Sequence, residues 1–367
     1  MSITVQPTLE LKKGVCYALY VYDVGLAIDL EKCRKVLSGH GDENAVRHSS
    51  RTLKYFDYKP APLRLMQKEV PSAVANYRTD PDVELVFYDF GAIAVNYTIP
   101  FHGTLQDVLA LSVELSGSTM LQSDSKKRVT DLLAKMTRCI SKAHEPDLVE
   151  DYAMFHVREW STMVPVAELP AHFAHDLAQV LRAEKQSLSE QEVVDAMACR
   201  ISFAKDDIIL IDWNAALIFD QDAYDVLAVL EFANVELLEM RFLDRELDDS
   251  LDRTYEVLIR RAPIKMWNSS GDLRSVAQMQ VDGAIVFERV SNALKLMSDQ
   301  YLARVYRLAS QRFHLAEWNS SILRKLDTIE SLYEKMNDRN ASRRLELLEW
   351  IIIILIAFEI VWPFVSK

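Results

Sequence analysis

ELVFYDFGAIAVNYTI, residues Glu84–Ile99, reads as two strands folded back on each other about a turn near Asp89–Gly91. Branched and aromatic residues fill both arms, and glycine stands where the chain must reverse. Similar runs lie on either side. GVCYALYVY (Gly14–Tyr22) and DYAMFHV (Asp151–Val157) are strand-like, and DIILIDWNAALIF (Asp207–Phe219) predicts two short strands about a turn at Asp212–Asn214. The PAP sequence within Arg51–Lys68 predicts a turn between two more, and Pro71–Asp82 reads as a polar connector. Between these runs apolar residues recur at helical spacing over Ile28–Leu37, Leu105–Leu115, Lys126–Ala143, Leu169–Glu184 and Ser189–Ala198. Ser189 with Glu192 has the spacing of a helix-capping box. The expected fold is α+β, with a mixed α/β body over residues 1–220.

Beyond residue 220 the period changes. Val226, Leu230, Ala233, Leu237, Met240, Asp244, Leu247 and Leu251 step by four and three. After a break at Ala262–Gly271, Phe287, Leu294, Tyr301, Leu308, Leu315, Ile322, Ile329 and Met336 recur every seventh residue. Asp222–Glu256 carries eleven acidic and three basic residues, and Arg289–Arg344 eleven basic and six acidic. Opposite charge favours pairing of the two segments over self-pairing of either. Residues 221–340 therefore predict a long helical coiled-coil hairpin, with Leu294, Tyr301, Leu308, Leu315, Ile322 and Ile329 as its seam. Asn337–Ser342 offers a break, with a fresh helix cap at Asn340.

The chain closes on LELLEWIIIILIAFEIVWPFV, Leu345–Val365, in which Glu359 is the one charge after Glu349. Its aliphatic content is worth roughly −4 to −8 kcal/mol for insertion in a bilayer. Glu359 costs ~3 kcal/mol of that. This predicts a C-terminal transmembrane helix within 341–367, a tail anchor built on Trp350, Ile351, Ile354, Phe358, Glu359 and Trp362. The basic flank Lys335, Arg339, Arg343 and Arg344 would hold the N-terminal body on the cytoplasmic side. The expected partner is a lipid bilayer, and the expected location is a bacterial inner membrane. The mitochondrial inner membrane is the alternative, with a presequence outside this sequence.

The net charge of −12 argues against direct contact with nucleic acid. Cys16, Cys33, Cys139 and Cys199 are scattered without metal spacing and read as reduced thiols.

Three segments resemble the "required for meiotic nuclear division" family, which includes YagE-like proteins and is largely a domain of unknown function. SRRLELLEWIIIILIAFEIV (Ser342–Val361) is similar to its terminal signature. ELVFYDFGAIAVN (Glu84–Asn96) is similar to its strand pair, with Phe90 before Gly91, and HFAHDLAQVL (His172–Leu181) to a helix centred on Ala178 and Gln179. The resemblance implies a membrane-anchored protein that self-assembles through coiled coils, with no established catalytic activity. A mitochondrial relative in that family supports translation of membrane proteins.

No motif of an enzyme is present: no GxGxxG, Walker lysine, HExxH or GxSxG. His172, His175 and Asp176 share a helix face but lack a third sure ligand and a general base, and read as surface residues. Ser116–Thr119 reads as a helix-capping turn before it reads as a phosphate cradle. Asp206, Asp207 and Asp212 read as a solvated strand edge before a cation site. The expectation is a non-enzymatic oligomeric scaffold or assembly factor without a cofactor, catalytic residue or metal. It would assemble with itself through the hairpin, and with a protein partner or the ribosome. The alternative is an enzyme or nucleotide-responsive regulator with its site in the α+β body.

Overall fold

The computed structural model describes residues 8–39, 47–48, 60–259, 281 and 299–365, the side chains of 47–48, 253–259, 333, 336–347 and 357–365 excepted. In chain order the elements are β1 (Glu10–Asp23), β2 (Ala27–Ile28), α1 (Leu30–Gly39), β3 (Arg47–His48), β4 (Leu63–Lys68), β5 (Ala73–Val74), β6 (Tyr77–Arg78), β7 (Asp82–Phe87), β8 (Ala92–Thr104), α2 (Leu105–Gly117), α3 (Thr119–Met136), β9 (Ile140–Ser141), β10 (Val149–Ser161), α4 (Leu169–His172), α5 (Ala174–Arg182), α6 (Glu190–Ala196), β11 (Arg200–Ile201), β12 (Ile208–Ile211), β13 (Ala215–Phe219), α7 (Tyr224–Ile259), α8 (Gln300–Arg312) and α9 (Leu315–Val365).

The protein is a mixed α/β chain built on one large sheet. Among the described residues that sheet has nine strands in the order β11-β12-β13-β10-β1-β8-β7-β4-β3. Strand β1 is central and pairs antiparallel with β10 on one side and β8 on the other. Its run from Cys16 to Val24 is buried without interruption, because helices cover both faces. Cys16, Ala18, Tyr20 and Tyr22 turn to the face packed by α1 to α6. Tyr17, Leu19, Val21 and Asp23 turn to the opposite face by the two-residue alternation of a strand. The pairing β10–β13 is parallel, joined through α4, α5 and α6.

The hairpin read at Glu84–Ile99 is β7–β8, which pair from Val83 with Tyr97 to Phe87 with Ile93. Its turn packs against the loop after β1. At Gly91, where φ is +113°, a Cβ would sit 1.7 Å from the carbonyl oxygen of Gly25, so only glycine fits. The helix predicted over Lys126–Ala143 lies earlier, at Thr119–Met136. The segment read as a polar connector holds the small hairpin β5–β6.

Two compact units divide the chain. One comprises Met1–Phe242 with Val286–Trp318, the other Leu243–Ile285 with Asn319–Lys367. The first unit thus extends past residue 220. The stripe Val226, Leu230, Ala233, Leu237 and Met240 is buried within it, and Phe232 of α7 meets Tyr88 edge-on at the end of β7. The helical period was legible, but a period shows that a stripe is buried and not against what. In the second unit Lys325 of α9 pairs with Asp244 and Asp248 of α7, both at 2.7 Å, so an acidic segment does meet a basic one. Leu247, Ile322, Ile329 and Leu332 are buried there.

The C-terminal expectation is overturned. Among the described residues no helix is long and apolar enough to cross a membrane. This corrects the transmembrane tail anchor and the single-pass membrane location. Helix α9 runs from Leu315 to Val365 through Asn337–Ser342, where a break and a cap at Asn340 were expected. The apolar run is thus the end of one long charged helix. Phe358, Glu359 and Trp362 have side chains outside the described residues.

Gly91→Ala is expected to lower the unfolding free energy by roughly 2–3 kcal/mol, through strain at positive φ and the clash with Gly25. Urea denaturation of the full chain measures it, and an unchanged midpoint contradicts this account of the turn.

Candidate functional site

Helix α7 covers a sheet face with a stripe that is not purely apolar. Glu231, Asn234, Glu236 and Glu239 are all at most 5% exposed. The central contact is Glu231 with Arg64 of β4. Arg64 Nη2 donates to Glu231 Oε1 at 3.0 Å, the Tyr88 hydroxyl donates to the same oxygen at 2.8 Å, and Asn96 Nδ2 donates to Oε2 at 2.8 Å. Arg64 also lies 3.3 Å from Glu84 on β7. Burial by itself would lower the Arg64 pKa, but Glu231 and Glu84 more than offset it and hold the guanidinium charged. A pair this dry is weak evidence for net stability, yet breaking it from one side is costly.

A narrow cleft opens beside this contact, lined by Tyr17, Asn96, Met154, Tyr224, Leu227 and Ala228. Asn96 Oδ1 faces no hydrogen-bond donor among the described residues. At the rim Arg158 Nη2 donates to the hydroxyls of Tyr17 at 3.3 Å and Tyr224 at 3.1 Å. His156 lies fully buried beneath it, with Nε2 2.9 Å from the carbonyl of Asp220. Burial pushes its pKa down to about 4, so it stands neutral at ordinary pH.

A second polar centre ties α8 to β12. Asp212, without exposed surface, accepts from Nε of Arg182 and from Nε of Arg312, each at 2.6 Å. Both arginines reach on to Asp195, at 2.5 and 2.7 Å. The three aspartates weighed as a cation site are therefore separated in role, since Asp207 accepts the backbone N–H groups of Phe203 and Ala204. His172 lies 3.7 Å from Glu168, and His175 3.3 Å from Ser187. Among the described residues no group of three or more His, Cys, Asp or Glu side chains could hold a metal ion.

Of the seam residues, Leu315, Ile322 and Ile329 are buried, and Tyr301 and Leu308 are half-buried. Leu294 lies outside the described residues. The seam is not one helix: α8 ends at Arg312, and His314 takes a left-handed φ of +52° before α9 begins. Trp350, Ile351 and Ile354 are 63%, 50% and 62% exposed.

Sequence reading passed over Arg64 and Glu84, and took Glu231, Glu236 and Glu239 as part of the acidic charge that would pair with the basic segment. A signal was there: in LAVLEFANVELLEM (Leu227–Met240) glutamates interrupt an apolar run and would face apolar neighbours on any helix.

The family described as "Uncharacterized protein MJ0711, N-terminal domain" matches residues 13–225, more than half of the chain. A relative from Methanocaldococcus jannaschii, itself described as uncharacterized protein MJ0711, is 21% identical over 228 residues, covering 60% of this chain and 68% of its own.

Glu231→Ala should cost about 3–5 kcal/mol by leaving Arg64 half-paired in a dry site. Chemical denaturation reads it. Glu236 gives a pH test. Burial lifts its pKa to about 8, partly offset by the hydrogen bond it accepts from Tyr306. Below the unfolded value of 4.5 it is protonated in both states, and above that only the folded chain keeps the proton. Stability is therefore lost as pH rises from the unfolded value to about 8, on the order of 5 kcal/mol in all. Glu236→Gln should raise the thermal midpoint at alkaline pH and leave it unchanged in acid. Parallel midpoint–pH curves would contradict this.

Proposed function

The chain belongs to the MJ0711 N-terminal-domain family, and we propose that it is a non-enzymatic assembly protein whose copies join through the end of α9. The observation that carries this is the run Leu348–Ile356. Leu348 and every residue from Trp350 to Ile356 are at least half exposed. Seven consecutive apolar residues cover a helix on all sides, and a helix apolar all round is normally buried. Covering the exposed halves of these side chains on two copies is worth on the order of 10–15 kcal/mol. That is comparable with the ~4–15 kcal/mol that joining two chains costs. A second copy is the occupant that brings an identical apolar surface.

The finer reading is a coiled-coil arrangement of α7 with α9, with Ile322 and Ile329 in its seam and Lys325 paired across to Asp244 and Asp248. The resemblance to the "required for meiotic nuclear division" family supports self-assembly without catalysis. It also makes the ribosome, or a partner in membrane-protein biogenesis, the first body to look for in co-purification.

A second reading, an enzyme or nucleotide-responsive regulator, draws on the Arg64–Glu231 centre. The cleft there has room for little more than water, so a ligand would have to displace part of α7. Native mass spectrometry of the purified chain, showing a retained small molecule, would favour it.

Light scattering of the full chain should give a mass above one copy that falls on dilution. A chain ending at Arg344, and full-length Ile351→Asp with Ile354→Asp, should both be monomeric. Equal masses for all three overturn the proposal.

A further inference from the structure

Where β1 ends beneath α7, two carboxyls are buried against each other. Asp23 is 4% exposed and Glu239 is 1% exposed. Neither oxygen of Glu239 meets a hydrogen-bond donor among the described residues, and the polar group it faces is Asp23. Asp23 is better served. It accepts the Gly25 N–H at 3.1 Å, and its Oδ1 lies 2.7 Å from Nε2 of His144. The His144 ring stacks on Phe242 of α7, 5.0 Å between centroids and 9° from parallel, with a third of its side chain exposed.

Two facing carboxylates repel at close range, and removing each from water adds a further cost. One proton between them ends the repulsion and makes a charge-assisted hydrogen bond. Burial and then the facing Asp23 hold Glu239 well above the usual carboxylate range. Burial raises Asp23 too, against the downward pull of His144, Gly25 and Glu239. The next charge along α7, Arg241, is turned to Glu150 of β10. The ring of His144 is thus the basic group at hand, and it lies on the Asp23 side.

We infer that Asp23 and Glu239 share one proton across the contact of β1 with α7, Glu239 carrying it and Asp23 holding the charge beside His144, so that α7 is seated on the sheet by a bound proton and loosens when the proton leaves. This is a pH-sensitive device within one compact unit, and it stands whether or not copies assemble through α9. The direction follows from the raised carboxyl: the seat is firm where the pair keeps its proton and weakens as pH rises.

The test uses the full chain in a Glu236→Gln background, which silences the other protonated glutamate of α7. Two quantities are read against pH: the carbonyl stretch of a protonated carboxyl in infrared difference spectra, and hydrogen-exchange protection of the α7 amides around Glu239, corrected for intrinsic exchange. The background chain should show the protonated band at neutral pH. Above the pH at which that band is lost, protection should fall about tenfold per pH unit, as release of one proton requires. Glu150, lifted by burial to about 7, adds a band of its own, so the difference between chains is read. Glu239→Gln supplies a permanent donor to Asp23, so it should weaken the band by one carboxyl and flatten the protection profile. Asp23→Asn removes the facing charge and offers Glu239 an amide donor, so it should move the loss of Glu239's part of the band to lower pH, and it serves if Glu239→Gln does not fold. A band unchanged by both substitutions, or protection profiles with one slope in all three chains, overturns the inference. Loss of protection with a chelator, restored by a divalent cation, also overturns it, because the carboxyls would then be cation ligands.

Discussion

Helix α7 lies on a sheet face that is already apolar and brings three glutamates with it. That single constraint organises the first compact unit. Each glutamate must find a positive charge, a donor or a proton, since a bare carboxylate out of water is too costly to keep. Glu231 meets Arg64, Tyr88 and Asn96; Glu236 accepts from Tyr306 of α8; Glu239 faces Asp23. Three solutions to one problem thus lie along a single helix. They reach strands β1, β4, β7 and β8 as well as α8, so the seat of α7 is specified polar contact by polar contact as well as by apolar packing.

The same logic explains the other centre. Asp212 is without exposed surface at the end of β12, and two arginines from separate elements converge on it. Arg312 closes α8, so this contact fixes the end of that helix against the end of β12. Fully engaged polar groups of this kind are geometric pins, and their value lies more in excluding other packings than in net stability. The exposed apolar end of α9 is the contrasting feature, because its surface is as yet covered by nothing in the chain that is described.

Much of this was legible in the residues. The alternation of β-forming residues marked β1, β7, β8, β10, β12 and β13, and the turn at Gly91 was visible from its glycine. Ser189 caps α6 by accepting the N–H of Glu192, as its spacing predicts. The opposite charge of Asp222–Glu256 and Arg289–Arg344 foretold the meeting of Lys325 with Asp244 and Asp248. These are local properties, set by neighbours within a turn of helix or two residues of strand, so they survive without knowledge of the rest of the chain.

What the residues could not specify was always the identity of the opposite surface. The heptad stripe from Val226 to Met240 required burial equally against a helix or a sheet, and the sheet won because β1, β8 and β10 left a second apolar face to cover. Arg64 and Glu231 stand 167 residues apart in the chain, and no periodicity connects them. The apolar run near the C-terminus satisfied a composition rule for crossing a membrane, but whether it forms a separate span depends on where its helix begins. Tertiary structure places that beginning at Leu315, so the run continues a charged helix. Period and charge are written residue by residue, whereas partners are chosen by contacts between distant parts of the chain, which exist only once it has folded.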